Sequence, residues 1–82
     1  MLTAAHVFKL EHQLRKTYGL TPRQVAILAA TVEAESFKEV ADRCGIVAKS
    51  ARVHMSRVYK LLGVHTKMGA YKKLEEIFQL CN

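Results

Sequence analysis

A short capped segment, a glycine and a long basic segment follow one another between Ser36 and Leu62, and this succession constrains the fold more than any other feature. Ser36 precedes Phe37-Lys38-Glu39, so a side-chain acceptor stands at the N-cap with Glu39 three residues on, the spacing of a capping box. In the segment Phe37 to Cys44, Val40, Ala41 and Cys44 point inward and Lys38, Asp42 and Arg43 outward. Gly45 tolerates the left-handed backbone that ends a helix. After Ile46 and Val47, a helix is expected from Ala48 to Leu62, with Ala51, Met55, Val58 and Leu62 as its inner stripe. Lys49, Arg52, Ser56, Arg57 and Lys60 fall on or near the opposite side. Two helices joined by so tight a turn have helix-turn-helix spacing.

The rest of the chain reads as helix too. Val7, Leu10 and Leu14 predict a first helix from Thr3 to Tyr18, stopped by Gly19. Thr21-Pro22 starts the next, with Gln24 at capping-box spacing and Val25, Ile27, Leu28 and Val32 on its apolar face. After Gly63, a last helix is expected from Lys67 to Leu80, with Thr66 as its cap and Tyr71, Leu74, Phe78 and Cys81 in one stripe. The expected fold is therefore all-α, a small four- to five-helix bundle containing a helix-turn-helix. Residues 1–19 form its N-terminal helix and residues 20–82 its main unit. The chain has 82 residues, which leaves no room for a substrate domain beside a scaffold.

Charge bears on partners. The chain carries 13 Lys and Arg against 7 Asp and Glu, and no acidic residue lies between Asp42 and Glu75. That interval holds Arg43, Lys49, Arg52, Arg57, Lys60, Lys67, Lys72 and Lys73. Such one-sidedness is the footprint of a polyanion binder, though charge alone equally describes a solvated basic face. Helix 48–62 adds the decisive element, since an α-helix fits the major groove of DNA, where each base pair shows its own donor and acceptor pattern.

Nothing in the sequence points to catalysis: no nucleophile with its base, no paired carboxylates in a pocket, no phosphate-cradling glycine loop. Cys44 and Cys81 lack CxxC or zinc-ligand spacing and read as free thiols in a reducing cytoplasm, so neither metal nor cofactor is expected. No signal-peptide pattern and no apolar run of membrane-spanning length is present, and a cytoplasmic location is expected. The start at Met1 favours a small protein in its own right over an excised C-terminal domain.

From Leu20 to Tyr71 the chain resembles the LuxR-type, or GerE-type, helix-turn-helix domain of bacterial transcription regulators. Leu20-Thr21-Pro22-Arg23 resembles the family's opening motif, followed by the apolar pair Ile27-Leu28. Ser36-Phe37-Lys38-Glu39-Val40-Ala41 resembles its Ser-Asn-Lys-Glu-Ile-Ala segment. Ile46 and His54 stand at the turn Ile and the recognition-helix His, and Leu62-Gly63-Val64 matches the Leu-Gly-Val that ends the recognition helix. Thr66-Lys67 resembles the Ser-Arg that follows. The departures are Gln24 for Glu, Phe37 for Asn, Val47 for a Ser cap, Ala51 for Val and Leu61 for Lys. They leave the fold as expected but do not carry the family's DNA sequence preference over to this chain.

The resemblance implies double-stranded DNA as partner and transcription regulation as function. It implies base-edge contacts from Arg52, Val53 and Ser56. Phosphate contacts are expected from Lys38, Ser50, Arg57 and Lys60, with Lys49 and Lys67 behind them. Thr21 reads as a helix cap rather than a phosphate contact, and His54 as a packed or phosphate-adjacent side chain. The resemblance also implies that the last helix makes a homodimer contact through Tyr71, Leu74, Phe78 and Cys81, which would place two recognition helices on an inverted repeat. A second possibility is an interaction protein that pairs with another regulator or with RNA polymerase. A third, the promoter-reading end of a sigma factor, shares the opening motif but lacks the Leu-Gly-Val turn and the fourth helix.

Overall fold

Each turn signal in the sequence becomes a helix end. A computed structural model describes residues 2–81, the side chain of Cys81 excepted. Among the described residues it contains six helices and no strand: α1 (Ala4–Lys9), α2 (Glu11–Tyr18), α3 (Pro22–Glu33), α4 (Phe37–Cys44), α5 (Ala48–Leu62) and α6 (Lys67–Cys81). The fold is the expected all-α bundle around a helix-turn-helix.

The sixth helix arises because the first segment is broken. Leu10, at φ −92° and ψ 4°, separates α1 from α2, and its N–H reaches the carbonyls of His6 and Val7 at 3.3 and 3.0 Å. This tightened turn stays close to helical geometry. Val7, Leu10 and Leu14 therefore all remain buried on one side despite the break.

The caps follow from short-range chemistry. Thr21 and Gln24 close a reciprocal box, with Gln24 N–H donating to Thr21 Oγ1 at 3.1 Å and Thr21 N–H to Gln24 Oε1 at 2.9 Å. At α4 the box is displaced. Ser36 Oγ accepts from Glu39 N–H at 3.2 Å, but the Glu39 carboxylate accepts from Glu35 N–H at 2.7 Å rather than from Ser36. Thr66 caps α6 by accepting from Gly69 N–H at 3.0 Å. Gly45 takes φ +67°, which lets Ile46 N–H bond back to Ala41 O at 3.0 Å and turns the chain from α4 into α5.

Helix α3 is the centre of the molecule and packs against α1, α2, α4 and α5. It is buried on several sides, through Val25, Ile27, Leu28, Ala29 and Val32. Its one buried hydroxyl is satisfied, since Thr31 Oγ1 donates to Ile27 O at 2.8 Å. Val7, Leu10 and Leu14 join the same core, so the N-terminal pair covers a flank of the helix-turn-helix.

Polar ties fasten the ends of α3. Glu33 accepts from Ala4 N–H at 2.9 Å and from Arg43 Nη1 at 3.2 Å, joining the starts and ends of α1, α3 and α4. The Ala4 N–H, and after it Arg43, hold the Glu33 carboxyl below its ordinary range against the opposing effect of desolvation. The last carbonyls of α3 and its cap, without partners within the helix, are met from α6: Tyr71 Oη donates to Val32 O at 2.9 Å and Lys67 Nζ to Ala34 O at 2.6 Å. No helix among the described residues is long and apolar enough to cross a membrane.

Candidate nucleic-acid interface

The spacing of apolar residues decides which way α5 faces. Ala51, Met55, Val58 and Leu62 recur at four, three and four residues and are all buried in the core. The opposite face is thereby turned to solvent. It carries Lys49, Arg52, Val53, Ser56, Arg57 and Lys60, every one exposed. These six are spaced by one, three or four residues, so they share one side of the helix. Val53, with 45 % of its surface accessible, is an apolar group amid the cations.

The electrostatics of this face differ from the rest of the molecule. The ion pairs among the described residues are Arg15–Glu11, Arg43–Glu33 and Arg43–Glu39, and none involves α5. Glu35, Glu39 and Asp42 lie on or beside α4, where Arg43 engages Glu39. The cations of α5 thus keep their N–H groups for an outside partner. Fifteen residues make a rod of about 22 Å, roughly 10–12 Å across with its side chains. Such a rod fits a major groove about 12 Å wide.

Of the other residues singled out, Lys38 is exposed in the first turn of α4, and Ser50 is half-buried beside Lys49. His54 is half-buried, with Nδ1 inaccessible and without a hydrogen-bond partner among the described residues. With Lys49, Ser50, Val53 and Arg57 it lines a shallow concavity of about 230 Å³ on the outer face. Arg52 shows a contact that its own helix could not have revealed. Its guanidinium carbon lies 5.9 Å from the centroid of the Phe37 ring on α4.

Two of these residues are engaged within the chain. The Lys67 ammonium donates one hydrogen bond to Ala34 O and lies 5.6 Å from the Tyr71 ring centroid. Leu74 is not on a contact surface. It is fully buried in the chain's own core together with Ala70 and Ile77. Tyr71 and Phe78 are half-buried, Phe78 meeting the His6 ring edge-on at 4.9 Å, and the Cys81 side chain lies outside the described residues. The exposed large apolar groups of α6 are instead Met68 and Leu80.

The start of α5 has cap geometry without a cap. Val47 sits at φ −85° and ψ 155°, the extended backbone of an N-cap, but its side chain offers no acceptor. Val47→Ser is expected to stabilise the fold by about 1 kcal/mol by giving the first-turn N–H groups an acceptor. For a domain of this size that is a rise in Tm of roughly 4–8 °C. Thermal unfolding followed by circular dichroism measures it, and an unchanged Tm would mean that water already serves those groups as well.

Comparison with known proteins bears on the same stretch. The family model GerE, described as bacterial regulatory proteins, luxR family, matches residues 18–74. This span contains the whole of α3, α4 and α5 and the first half of α6. No curated protein and no solved structure matches the chain.

Proposed function

The chain belongs to the luxR family of bacterial regulatory proteins, a family of DNA-binding transcription regulators, and from that premise we propose that it reads double-stranded DNA in a sequence-specific way, with α5 in the major groove. The observation that carries this reading is the acid-free outer face of α5, where six exposed residues combine four cations with a hydroxyl and an apolar side chain. Arg52 contacts a guanine edge, Val53 a thymine methyl and Ser56 a neighbouring base. Lys49, Arg57 and Lys60 hold the flanking phosphates, with Ser50 and Lys38 at the margin. Residues 1–19 serve the unit 20–82 as a cover for its hydrophobic flank, in keeping with the burial of Val7, Leu10 and Leu14.

Two copies bind an inverted repeat, one recognition helix in each half-site. The contact between copies runs along α6 and uses Met68, Leu80 and the half-exposed edges of Tyr71 and Phe78. The support is the exposure of these groups in a single copy.

Selection of bound sites from random duplex DNA at about 0.15 M salt, repeated with Arg52→Ala, tests the reading, because base contacts persist where purely electrostatic binding weakens. An enriched inverted repeat is expected. The variant loses preference at one position in each half-site, at a cost of about 1–3 kcal/mol. Salt-sensitive binding with no enriched motif would sink sequence reading and point to a protein partner, such as another regulator or RNA polymerase.

A further inference from the structure

We propose that Phe37 is a positioning residue for base reading: its ring carries the Arg52 guanidinium and holds it ready for a base edge. The inference rests on the base contact assigned to Arg52 above.

Phe37 occupies the first position of α4, directly after its Ser36 cap. The ring is half-buried and packs against the core, so its own orientation is fixed from behind. What remains of it faces Arg52, whose guanidinium carbon stands 5.9 Å from the ring centroid, within cation–π range.

An arginine can be restrained in two ways, with opposite consequences for recognition. A carboxylate restrains it by accepting its N–H groups, which are then spent. Arg43 is held in this manner by Glu33, which accepts from Nη1 at 3.2 Å, with the Glu39 carboxylate pairing at 3.6 Å from Nη2. An aromatic ring restrains it through the flat face of the guanidinium and leaves the edge free. Arg52 has only the second kind of neighbour: the Phe37 ring stands within cation–π range, and no carboxylate or carbonyl among the described residues accepts a hydrogen bond from it. Its donor fork remains whole, and a guanine offers two acceptors, O6 and N7, to such a fork. A long side chain that is already ordered before binding loses less freedom when it binds. Phe37 thus links the first helix of the motif to the reading of DNA by the second, without touching DNA itself.

The test compares Phe37→Leu and Phe37→Tyr, each with arginine or alanine at position 52. Affinity is measured for the duplex enriched by the wild-type protein and for a scrambled duplex. Phe37→Leu is expected to lower the ratio of the two affinities about two- to five-fold, the worth of an exposed cation–π contact. Phe37→Tyr restores it. Combined with Arg52→Ala, Phe37→Leu has no further effect on the ratio. In the free protein, the Arg52 Hε resonance carries a ring-current shift that Phe37→Leu removes and Phe37→Tyr keeps. An equal loss for Phe37→Leu with either residue at position 52 would mean that Phe37 acts only through the fold, and would overturn the proposal. An absent ring-current shift in the wild-type protein would overturn it as well. If the wild-type protein enriches no duplex at all, the base contact of Arg52 fails first and the proposal falls with it.

Discussion

Leu74→Ala is expected to destabilise the protein by about 2–5 kcal/mol, and to do so equally at every protein concentration. Leu74 is fully buried in a core shared with residues of α1, α2, α3, α4 and α5. Truncation removes buried methyl groups and leaves a cavity that fixed helices close only in part. Against the roughly 5–15 kcal/mol that holds a typical domain together, the loss is large. The fall in Tm should be at least about 8 °C for a domain of this size. Concentration is the discriminating variable. A residue inside one copy contributes to that copy's stability alone, whereas a residue between copies makes Tm depend on concentration. Thermal unfolding of the variant at low micromolar and at millimolar protein separates the two. A destabilisation that vanishes in one of these regimes would return Leu74 to a contact between copies.

The second large effect concerns DNA affinity and its salt dependence. K49A/R57A/K60A removes three exposed cations from the outer face of α5, none of them in an ion pair among the described residues. Alanine is the best helix former, so α5 should persist. Each phosphate contact contributes about 0.9 to the slope of log affinity against log salt. Losing three contacts in each copy should flatten that slope by nearly 3 per bound copy, about 5 for two copies on an inverted repeat, and weaken binding about a hundredfold per half-site at about 0.15 M salt. Lys67→Ala should change the slope less than the loss of any one of these three cations, because the Lys67 ammonium is tied to Ala34 O. Fluorescence titrations of a labelled duplex at several salt concentrations give both slopes. An unaltered slope in the triple variant would remove α5 from the DNA.

The elements that sequence specifies well are those whose causes are local. Thr21, Pro22 and Gln24 lie within one turn of each other and start α3 as expected. Gly45 and Gly63 end α4 and α5 in the left-handed backbone that their lack of a side chain permits. The outer face of α5 was legible for the same reason: once Ala51, Met55, Val58 and Leu62 define the inner stripe, the other side must meet solvent. The exposure of Arg52, Val53 and Ser56 follows from that geometry.

What sequence concealed depends on partners distant in the chain or on geometry close to regular. The break at Leu10 escaped notice because a tightened turn preserves the apolar spacing of Val7, Leu10 and Leu14. Glu39 at capping-box spacing gave no sign that its carboxylate would prefer Glu35 N–H. The stripe of Tyr71, Leu74 and Phe78 announced an apolar face on α6, but periodicity does not tell which body covers it. In Leu74 the cover is the chain's own core. Lys67 read as a free cation until the fold brought the end of α3 beneath it. Phe37 and Arg52 lie on different helices, and only the angle between those helices brings ring and guanidinium together.

The central claim is that the outer face of α5 lies against DNA bases. Photo-crosslinking tests it most directly, with a benzophenone side chain placed at Val53 on that face or, as a control, at the exposed Phe8 on α1. Irradiation of the complex with the enriched duplex should join position 53 to DNA at defined bases within each half-site, while position 8 stays unattached. Attachment from position 8 with none from position 53 would contradict the account, and would put the N-terminal helices, not α5, against the nucleic acid.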